Sequence, residues 1–423
     1  MKKFITRWLT VIDIKSIKGK NEYSAKMSTT KVAILTNIPA PYRIPLFSEL
    51  ANTKNIDLTV YFFASTEISR RWNVKINRKF NYEILSGFTL NTAVRAFQNI
   101  HINTAIISKL EKRKPDVIIS GGYSSLTNLL GLMYARKTDT PFILWSGSTA
   151  YEHKQLKPLF KPLITLFVKN SDAFIAYGSR SKQFLQTLGV NAKSIFIAFN
   201  TVDVEYFTSQ ARKYKFEKKL VKRDLGFGNR KIILYVGQII ERKGIKYLID
   251  TYKELSADDD EVCLVLVGYG PLQDKLEDYC RKSQIRNVYF MGYYPPEKIV
   301  KFYSIADLLV LPSLEEPWGL VLNEAMACGL PVISTTLVGG AYDLIIDGVN
   351  GFKVPPRNSK VLQACIREIL EDPRKKETFG KNSLDIIKRN FTIKKSVKGF
   401  IRAINYVTLG NSEQLQKELS VKS

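Results

Sequence analysis

Two glutamates, Glu316 and Glu324, lie eight residues apart around the start of a predicted helix. Their segment, 311–335, reads LPSLEEPWGLVLNEAMACGLPVIST, which indicates an apolar strand, a loop containing Gly319 and a helix closed by a glycine and a proline. The first N–H groups of such a helix have no partner within it and can hold phosphate or sugar oxygens. Carboxylates accept hydrogen bonds from hydroxyl groups, so this pair favours the binding of a sugar and a ribose.

A carboxylate near a helix N-terminus can also serve only to complement the helix dipole. We prefer that explanation for Glu315, which directly precedes Glu316. For Glu316 and Glu324 we prefer ligand binding, because both belong to one strand–loop–helix unit. We interpret them as two contacts to different parts of one ligand rather than as a general acid and base.

Short apolar strands alternate with helical stretches along the rest of the chain. Two series of predicted strands cover 31–37, 56–63, 116–120, 141–146, 172–178 and 194–200, and then 231–237, 261–268, 287–292, 307–313 and 330–335. This alternation is typical of βαβ units with parallel sheets. The sequence therefore predicts an α/β fold of two Rossmann-like, doubly wound domains that face each other across a cleft, with the ligand at the carboxyl ends of the strands.

Periodicity and charge divide the chain into segments. Around 203–230 the pattern breaks into a charged stretch, which we interpret as a domain boundary. The stretch 383–408 is helical and can fold back across both domains. The predicted segments are a basic amphipathic extension or mis-assigned start at 1–27, a first domain at 31–205, a linker at 206–230, a second domain at 231–395 and a helix at 396–423 that packs back on the first domain.

The composition is that of a globular protein with a strong positive charge. The chain has 423 residues, 45% of them hydrophobic, and a formal net charge of +25, with the larger excess in its N-terminal half. Nucleic acid, an anionic membrane surface or a phosphate-bearing substrate would each match this charge, and so would solubility alone. No aromatic–basic motif of the kind found in single-strand binders is present, so we expect no nucleic-acid partner. Two histidines are too few for a multi-histidine metal site.

The segment EPWGLVLNEAMACGLPVI resembles the signature of retaining glycosyltransferases of family 4, the glycosyl transferases group 1, which have the GT-B fold. The similarity runs over nearly all of 31–408 and is densest in 231–352. It implies that Glu316 contacts hydroxyls of a donor sugar and that Glu324 binds the nucleotide ribose. The backbone amides of Trp318, Gly319, Leu320 and Val321 would hold the donor's phosphate and sugar.

Other segments extend this resemblance to the nucleotide diphosphate. VGQIIERKG, at 236–244, is similar to a family loop in which an Arg and a Lys neutralise the diphosphate. Lys243 matches the Lys, where it would stabilise charge on the leaving oxygen. Gln238 stands at the Arg position. The nearby Arg242 could reach inward, but we prefer to interpret it as a solvated residue. Gly268 and Gly292 match glycines of loops that line the nucleotide.

In the first domain the resemblance is looser. NIPAPYRIP, at 37–45, stands where many relatives carry a Gly-rich loop, and Arg43 is our candidate for an acceptor-side or phosphate contact. A solvated loop Arg is the alternative. The family's histidine after the fourth strand aligns best with Ser146, and His153 follows several residues later, so we assign no catalytic histidine.

The resemblance implies transfer of a sugar from a nucleotide diphosphate sugar to a glycan or polyprenyl-linked acceptor with retained configuration, in cell-surface polysaccharide or glycoconjugate biosynthesis. The nucleotide sugar is a co-substrate, and we expect no cofactor and no metal. The run Asp258 to Asp260 imitates a metal motif, but it precedes a strand and is better explained as a surface loop. We expect a cytoplasmic protein, with a peripheral position on the inner face of the cell membrane as a further option. The alternatives are a silent sugar-nucleotide-binding protein, a GT-B epimerase or a phosphorylase.

Overall fold

The computed structural model describes residues 29–67, 74, 76, 79–91, 99–150, 157–257 and 260–409. The expected extension at 1–27, the residues His153, Asp258 and Asp259, and the tail 410–423 lie outside the described residues. The α/β architecture that the strand–helix alternation predicts is confirmed. Two parallel sheets carry the two halves of the chain, and helices cover both.

The first sheet has seven parallel strands in the order β3-β2-β1-β6-β7-β8-β9. Its strands are β1 Thr30–Thr36, β2 Ile56–Phe62, β3 Asn81–Ile84, β6 Val117–Ser120, β7 Phe142–Ser146, β8 Ala173–Ala176 and β9 Ile195–Ile197. Its helices are α1 Ile44–Ala51, α2 Ile106–Arg113, α3 Leu126–Lys137, α4 Lys157–Lys169 and α5 Ser179–Thr187. A separate antiparallel hairpin consists of β4 Phe88–Asn91 and β5 Asn99–Ile102. The central strands are buried on both faces, which is why they read as continuous apolar runs.

The second sheet has six parallel strands in the order β12-β11-β10-β13-β14-β15, which is the Rossmann order. Its strands are β10 Lys231–Val236, β11 Val262–Val267, β12 Val288–Gly292, β13 Leu308–Leu311, β14 Val332–Thr335 and β15 Gly351–Val354. Its helices are α6 Val204–Phe216, α7 Lys218–Asp224, α8 Ile245–Ser256, α9 Gln273–Lys282, α10 Pro296–Ile305, α11 Leu320–Ala327, α12 Ala341–Leu344, α13 Ser359–Leu370 and α14 Pro373–Asn390. The strand order reverses between β10 and β13, and ligands bind doubly wound sheets at such a point.

The segment 206–230 is not an irregular linker. Helices α6 and α7 fill most of it, and both pack against α10 of the second domain. Val204, Phe207, Thr208 and Ala211 are buried along one side of α6, at the spacing of a helix face. The many lysines on the other faces conceal this narrow stripe in the sequence.

The C-terminal helical stretch consists of two helices rather than one. Helix α14 ends at Asn390, and Thr392 caps the next helix, α15 Ile393–Thr408, by accepting a hydrogen bond from the Lys395 N–H. Helix α15 packs on α1, β8 and β9, and its Phe400 ring lies 5.0 Å from that of Trp145 in the core of the first domain. The chain therefore returns to the first domain after completing the second.

Candidate functional site

A cleft of about 380 Å³ opens between the carboxyl ends of the two sheets. The loops after β10 and β13, which flank the switch point of the second sheet, form most of its wall, and Tyr42, Tyr177 and Asn200 contribute from the first domain. The predicted site residues that line it are Gln238, Lys243, Gly268, Glu316, Trp318, Gly319, Leu320, Val321 and Glu324. Residues from sequence positions 236 to 324 thus converge on one surface, together with three from the other domain.

Glu316 is held by two cations. Its Oε2 accepts hydrogen bonds from Lys243 Nζ and, at 3.1 Å, from Arg242 Nη1. Its side chain is only 14% exposed. Burial alone raises the pKa of this carboxyl, but the charges and hydrogen bonds of Lys243 and Arg242 outweigh burial and hold the pKa of Glu316 below its ordinary value. The carboxylate is therefore ionised and fixed in place.

Arg242 adopts the inward position that was the less favoured of its two alternatives. It was expected to be solvated, but its side chain is 20% exposed, lines the cleft and also donates to the Glu315 carbonyl at 3.2 Å. The short 3₁₀ turn Glu241–Lys243 places Arg242 and Lys243 next to each other. Gln238 lines the same cleft without a charge, and the loop nevertheless supplies two cations. The adjacent Arg242 and Lys243 in the loop after β10 were the sequence signal that could have predicted two cations in the cleft.

Glu324 lies in the second turn of α11 and is held differently. Tyr303 Oη donates to its Oε2 at 2.5 Å. Burial raises the pKa of Glu324 to about 7, against the smaller opposing effect of the Tyr303 hydrogen bond. Tyr303 comes from α10 and was not foreseen, because nothing in its local sequence marks it. The two glutamates therefore differ in charge state near neutral pH.

Helix α11 begins at Gly319, which adopts a left-handed conformation with φ 89° and provides no side-chain cap. Leu320 and Val321, whose N–H groups belong to the first turn of α11, line the cleft. Trp318 is buried, and its Nε1 donates to Asn323 Oδ1 at 2.9 Å. This bond closes the loop onto the helix and fixes the direction of the helix start.

Two glycines bring backbone segments into close approach at the cleft. A Cβ at Gly268 would lie 1.8 Å from the carbonyl oxygen of Gly237, so only glycine fits there. The Gly268 N–H donates to the Gly292 carbonyl at 2.8 Å, which places Gly292 directly behind the lining residue. Gly339 supports the other wall, since its N–H donates to the Glu316 carbonyl at 2.9 Å and a Cβ there would lie 2.0 Å from the Pro317 carbonyl oxygen.

Arg43 lies behind the cleft lining rather than in it. Its Nη2 donates to Tyr177 Oη at 2.6 Å, its Nη1 donates to Thr36 Oγ1 at 2.5 Å, and its guanidinium lies 4.5 Å from the Trp145 ring centre. Its Nε is buried without a hydrogen-bond partner. The solvated alternative is therefore wrong, and Arg43 fixes Tyr177, which does line the cleft together with Tyr42.

Ser146, Asp203 and Asn200 make structural contacts. Ser146 is buried at the end of β7 and accepts from the Ser148 N–H at 3.2 Å. Asp203 caps α6 by accepting from the Tyr206 N–H, and the Asn200 carbonyl accepts from Asn323 Nδ2 across the domain junction. Asp260 is exposed before β11. Within the described ranges, no group of three His, Cys, Asp or Glu side chains could hold a metal ion.

The two domains also touch beside the cleft. The Asp343 carboxylate, from α12, accepts from the Ser179 N–H at 3.0 Å, and the guanidinium of Arg180 lies 3.5 Å from the ring centre of Tyr342. A Cβ at Gly178 would lie 2.4 Å from the Trp318 ring. The start of α5 therefore rests directly on the loop that carries Glu316 and Trp318.

Residues 217–385 match the family model described as glycosyl transferases group 1. The matched segment, about two fifths of the chain, is similar to this family. The match covers the second sheet and the loops that bear Gln238, Lys243, Glu316 and Glu324. The GT-B arrangement of two facing Rossmann-like domains is confirmed, since solved structures that superpose on most of this chain share it.

Individual relatives and solved structures are similar over different lengths of the chain. An uncharacterized glycosyltransferase of Methanocaldococcus jannaschii is 33% identical over 205 residues, which is 46% of this chain and 51% of that relative. The capsular polysaccharide biosynthesis glycosyltransferase CapM of Staphylococcus aureus is 24% identical over 352 residues, 81% of this chain and 88% of CapM. The crystal structure of Anabaena Alr3699/HepE in complex with UDP superposes with a TM-score of 0.71 at 19% identity, covering 89% of this chain and all of that one.

Proposed function

We propose that this protein transfers a sugar from a nucleotide diphosphate sugar to a hydroxyl of a glycan or polyprenyl-linked acceptor, with retention of configuration, in the biosynthesis of cell-surface polysaccharide or glycoconjugate. The observation that carries the proposal is the Glu316 carboxylate held by Lys243 and Arg242 at the mouth of α11. This arrangement sets two cations and a helix start beside a carboxylate, in a cleft large enough for a nucleotide sugar.

The charges of the cleft suit a diphosphate. Arg242 and Lys243 bring two positive charges, and Glu316 neutralises one of them. The free N–H groups at the start of α11 add further donors for phosphate oxygens. A leaving nucleoside diphosphate gains negative charge as the sugar–phosphate bond breaks, so these groups would stabilise the transition state more than the ground state.

The two glutamates would accept hydrogen bonds from different hydroxyl groups of the donor. In the proposal Glu316 accepts hydrogen bonds from the donor sugar, because its ionised carboxylate is already oriented by Lys243 and Arg242. Glu324 accepts from the ribose, one turn further into the helix. Gln238 and Gly268 form the adjacent wall against the nucleotide, with Gly292 behind Gly268. The backbone from Trp318 to Val321 holds the phosphate.

The anomeric configuration can be retained in two ways. One is double displacement, and the other is attack by the acceptor on the same face of the sugar from which the leaving group departs. Of the described residues that line the cleft, Glu316 and Glu324 are the carboxylates, and both are engaged by hydrogen bonds from neighbouring side chains. Neither is placed as a free nucleophile. We infer same-face attack, in which the leaving phosphate oxygen takes the acceptor proton while Lys243 balances its charge.

A thermal-shift screen against nucleotide sugars that differ in base and sugar tests donor binding, since a bound ligand raises the melting temperature by mass action. We expect at least one donor to stabilise the wild type, and Lys243→Met to abolish the shift. Lys246→Met is the matched control, because Lys246 lies three residues on, is exposed and pairs with Asp250 outside the cleft. No shift with any nucleotide sugar, or an equal loss in both variants, would contradict the proposal.

A silent nucleotide-sugar-binding protein would pass that screen, so turnover is a separate measurement. Release of the nucleoside diphosphate from the identified donor, followed without acceptor and then with candidate acceptors, separates the two. We expect slow release alone and faster release with an acceptor. Tight donor binding without any release of nucleoside diphosphate would mean that the protein binds the nucleotide sugar and does not transfer its sugar.

A further inference from the structure

A second cavity, of about 720 Å³, lies at the junction of the two domains. The chain passes from the first domain to the second after β9, and it returns between α14 and α15. Both crossings line this junction cavity, with Phe199 on the first and Phe391 on the second. The described residues that line the junction cavity and those that line the cleft are separate sets. The junction cavity is therefore distinct from the proposed donor site.

The junction cavity and the cleft lie on opposite sides of the first crossing. Beyond β9 the chain stays extended, since the N–H groups of Ala198 and Asn200 donate to carbonyl oxygens at the end of β8 and just beyond it. Successive side chains of an extended segment point in opposite directions. Phe199 accordingly lines the junction cavity, whereas Asn200 lines the cleft. A rotation of the domains about this crossing that narrows the cleft therefore widens the junction cavity.

Cations are concentrated in the junction cavity. Lys395 and Lys398 lie about one turn apart on α15, and both are exposed. Lys182 of α5 and Arg402 of α15 line the same space. Within the described ranges, the three lysines form no ion pair. Asp343 contributes a carboxylate, which already accepts a hydrogen bond from a backbone N–H at 3.0 Å. The described lining is thus positive overall and suits an anionic ligand.

Apolar side chains form most of the remaining lining. Ile346, which follows α12, is 50% exposed, and Ile386 lies on α14, so both belong to the second domain. The ring centres of Phe199 and Phe391 lie 4.7 Å apart where the two crossings meet. Aliphatic side chains and aromatic edges of this kind pack well against a further aromatic ring. The junction cavity therefore combines a cationic part with a part that suits an aromatic group.

Phe199 also connects the junction cavity with the loop that carries Glu316. Its ring centre lies 6.1 Å from that of Trp318 in this loop. The hydroxyl of Thr201 donates to the Phe391 carbonyl, which ties the two crossings together. Because both domains contribute to the walls, a ligand in the junction cavity binds one angle between the domains better than others. Its occupancy is therefore coupled to donor binding in the cleft.

We propose that the junction cavity is an effector site for a phosphate monoester that carries an aromatic group. The phosphate contacts Lys182, Lys395 and Lys398, and the aromatic group packs against Ile346 and Phe199. Such a ligand bridges the two domains, so it opposes the widening of the junction cavity and with it the closure of the cleft around a donor. The inhibitory effect rests on the proposed function, but binding does not. Binding is measured without a nucleotide sugar, so its failure and the failure of transfer are distinguishable.

The test is calorimetric titration of the full chain with phenyl phosphate. We expect saturable binding to the wild type and about tenfold or more weaker binding to Lys395→Ala with Lys398→Ala, because two charge-assisted contacts to the phosphate are lost. Lys381→Ala with Lys388→Ala is the matched control, since both lysines are exposed on α14 and neither lines the junction cavity. It removes the same charge and should bind as the wild type does. No saturable binding to the wild type, unchanged affinity in the first pair, or an equal loss in both pairs would overturn the proposal.

The cations of the cleft also attract phosphate, so a variant of the cleft separates the two sites. Lys243→Met should bind phenyl phosphate as the wild type does. Loss of binding in Lys243→Met, with wild-type binding in Lys395→Ala with Lys398→Ala, would place phenyl phosphate in the cleft and refute the effector site.

The aromatic part of the site is tested with Ile346→Asn. This variant should bind phenyl phosphate about threefold or more weakly and bind inorganic phosphate as the wild type does, because only the apolar contact is lost. Val349→Asn is its control, since Val349 is 38% exposed and lies outside the junction cavity. Equal affinities of the wild type for phenyl phosphate and inorganic phosphate would contradict the choice of an aromatic ligand.

Coupling is measured with the donor that the thermal-shift screen identifies. We expect saturating phenyl phosphate to weaken donor affinity by about threefold or more in the wild type, and the donor to weaken the affinity for phenyl phosphate by the same factor. Lys395→Ala with Lys398→Ala should bind the donor normally and should not respond to phenyl phosphate. Donor affinity that is independent of phenyl phosphate in the wild type would overturn the regulatory role.

Discussion

Replacement of Glu324 by glutamine should stabilise the protein at alkaline pH and leave it nearly unchanged at acidic pH. Burial raises the pKa of Glu324 from the ordinary 4.5 to about 7. As the pH rises above 4.5, the unfolded chain loses this proton before the folded protein does, so the free energy of unfolding falls until the pH passes about 7. Glutamine cannot ionise and removes this penalty, while its side-chain oxygen can still accept from Tyr303.

The size of the effect follows from the same pKa. Each unit by which the folded-state pKa exceeds the ordinary value is worth about 1.4 kcal/mol. The loss in the free energy of unfolding therefore approaches about 3 kcal/mol at pH 8. Partial access of the carboxylate to the cleft lowers this figure somewhat. Urea unfolding of Glu324→Gln and the wild type, measured in parallel at pH 5 and pH 8, gives the difference in the free energy of unfolding, and the other titrating groups cancel.

Glu316→Gln provides a control of opposite sign. The pKa of Glu316 is held below its ordinary value, so its ionised form stabilises the folded protein above pH 4.5 and this stabilisation is lost as the pH falls through the lowered pKa. Glu316→Gln should therefore be less stable than the wild type at pH 8. A stability difference for Glu324→Gln that is the same at pH 5 and pH 8, or that favours the wild type at pH 8, would refute the reasoning.

Three further predictions concern the walls of the cleft and the domain junction. Arg242→Met should weaken donor affinity by about tenfold, near 1.4 kcal/mol, in calorimetric titration, because Lys243 alone must then balance Glu316 and the diphosphate; unchanged affinity would show that Arg242 only packs. Gly339→Ala should cost about 1–3 kcal/mol in urea unfolding and raise KM for the donor, because its Cβ displaces the Pro317 carbonyl, and an unperturbed KM would contradict this role. Asp343→Ala removes the acceptor of the Ser179 N–H, so X-ray scattering should show a larger radius of gyration without loss of either domain, whereas an unchanged radius would mean that the contact does not hold the domains together.

Much of the fold could be predicted because buried parallel strands have continuous apolar sequences. β10 and β11 were each found to within one residue at their ends, as were β1 and β2. The strands β3, β4, β5 and β15 were missed, because each has only four residues and none of them is a continuous apolar run. In addition, β15 follows directly on a turn-like DGVNG sequence. Helix α6 was hidden by the lysines around its narrow apolar stripe.

The loops that carry the site could be located from sequence, but the pairing of their side chains could not. Glu316 and Arg242 are 74 positions apart, and their contact depends on how two loops at a switch point face each other. The bond from Tyr303 to Glu324 depends on the packing of α10 against α11. Arg43, the candidate for an acceptor-side or phosphate contact, is instead enclosed by Thr36 at the end of β1, Trp145 in β7 and Tyr177 directly after β8.

The most direct test of the account is the turnover number of Glu316→Gln, measured as nucleoside diphosphate release from the donor that the thermal-shift screen identifies. Glu315→Gln is the matched control, because it removes the neighbouring carboxylate, which does not line the cleft. We expect Glu316→Gln to remain folded and to lose at least about 100-fold in kcat, because one oriented polar group at the reacting centre is removed. Glu315→Gln should turn over at the wild-type rate. Near-wild-type turnover by Glu316→Gln, or an equal loss in both variants, would contradict the assignment of this cleft as the donor site.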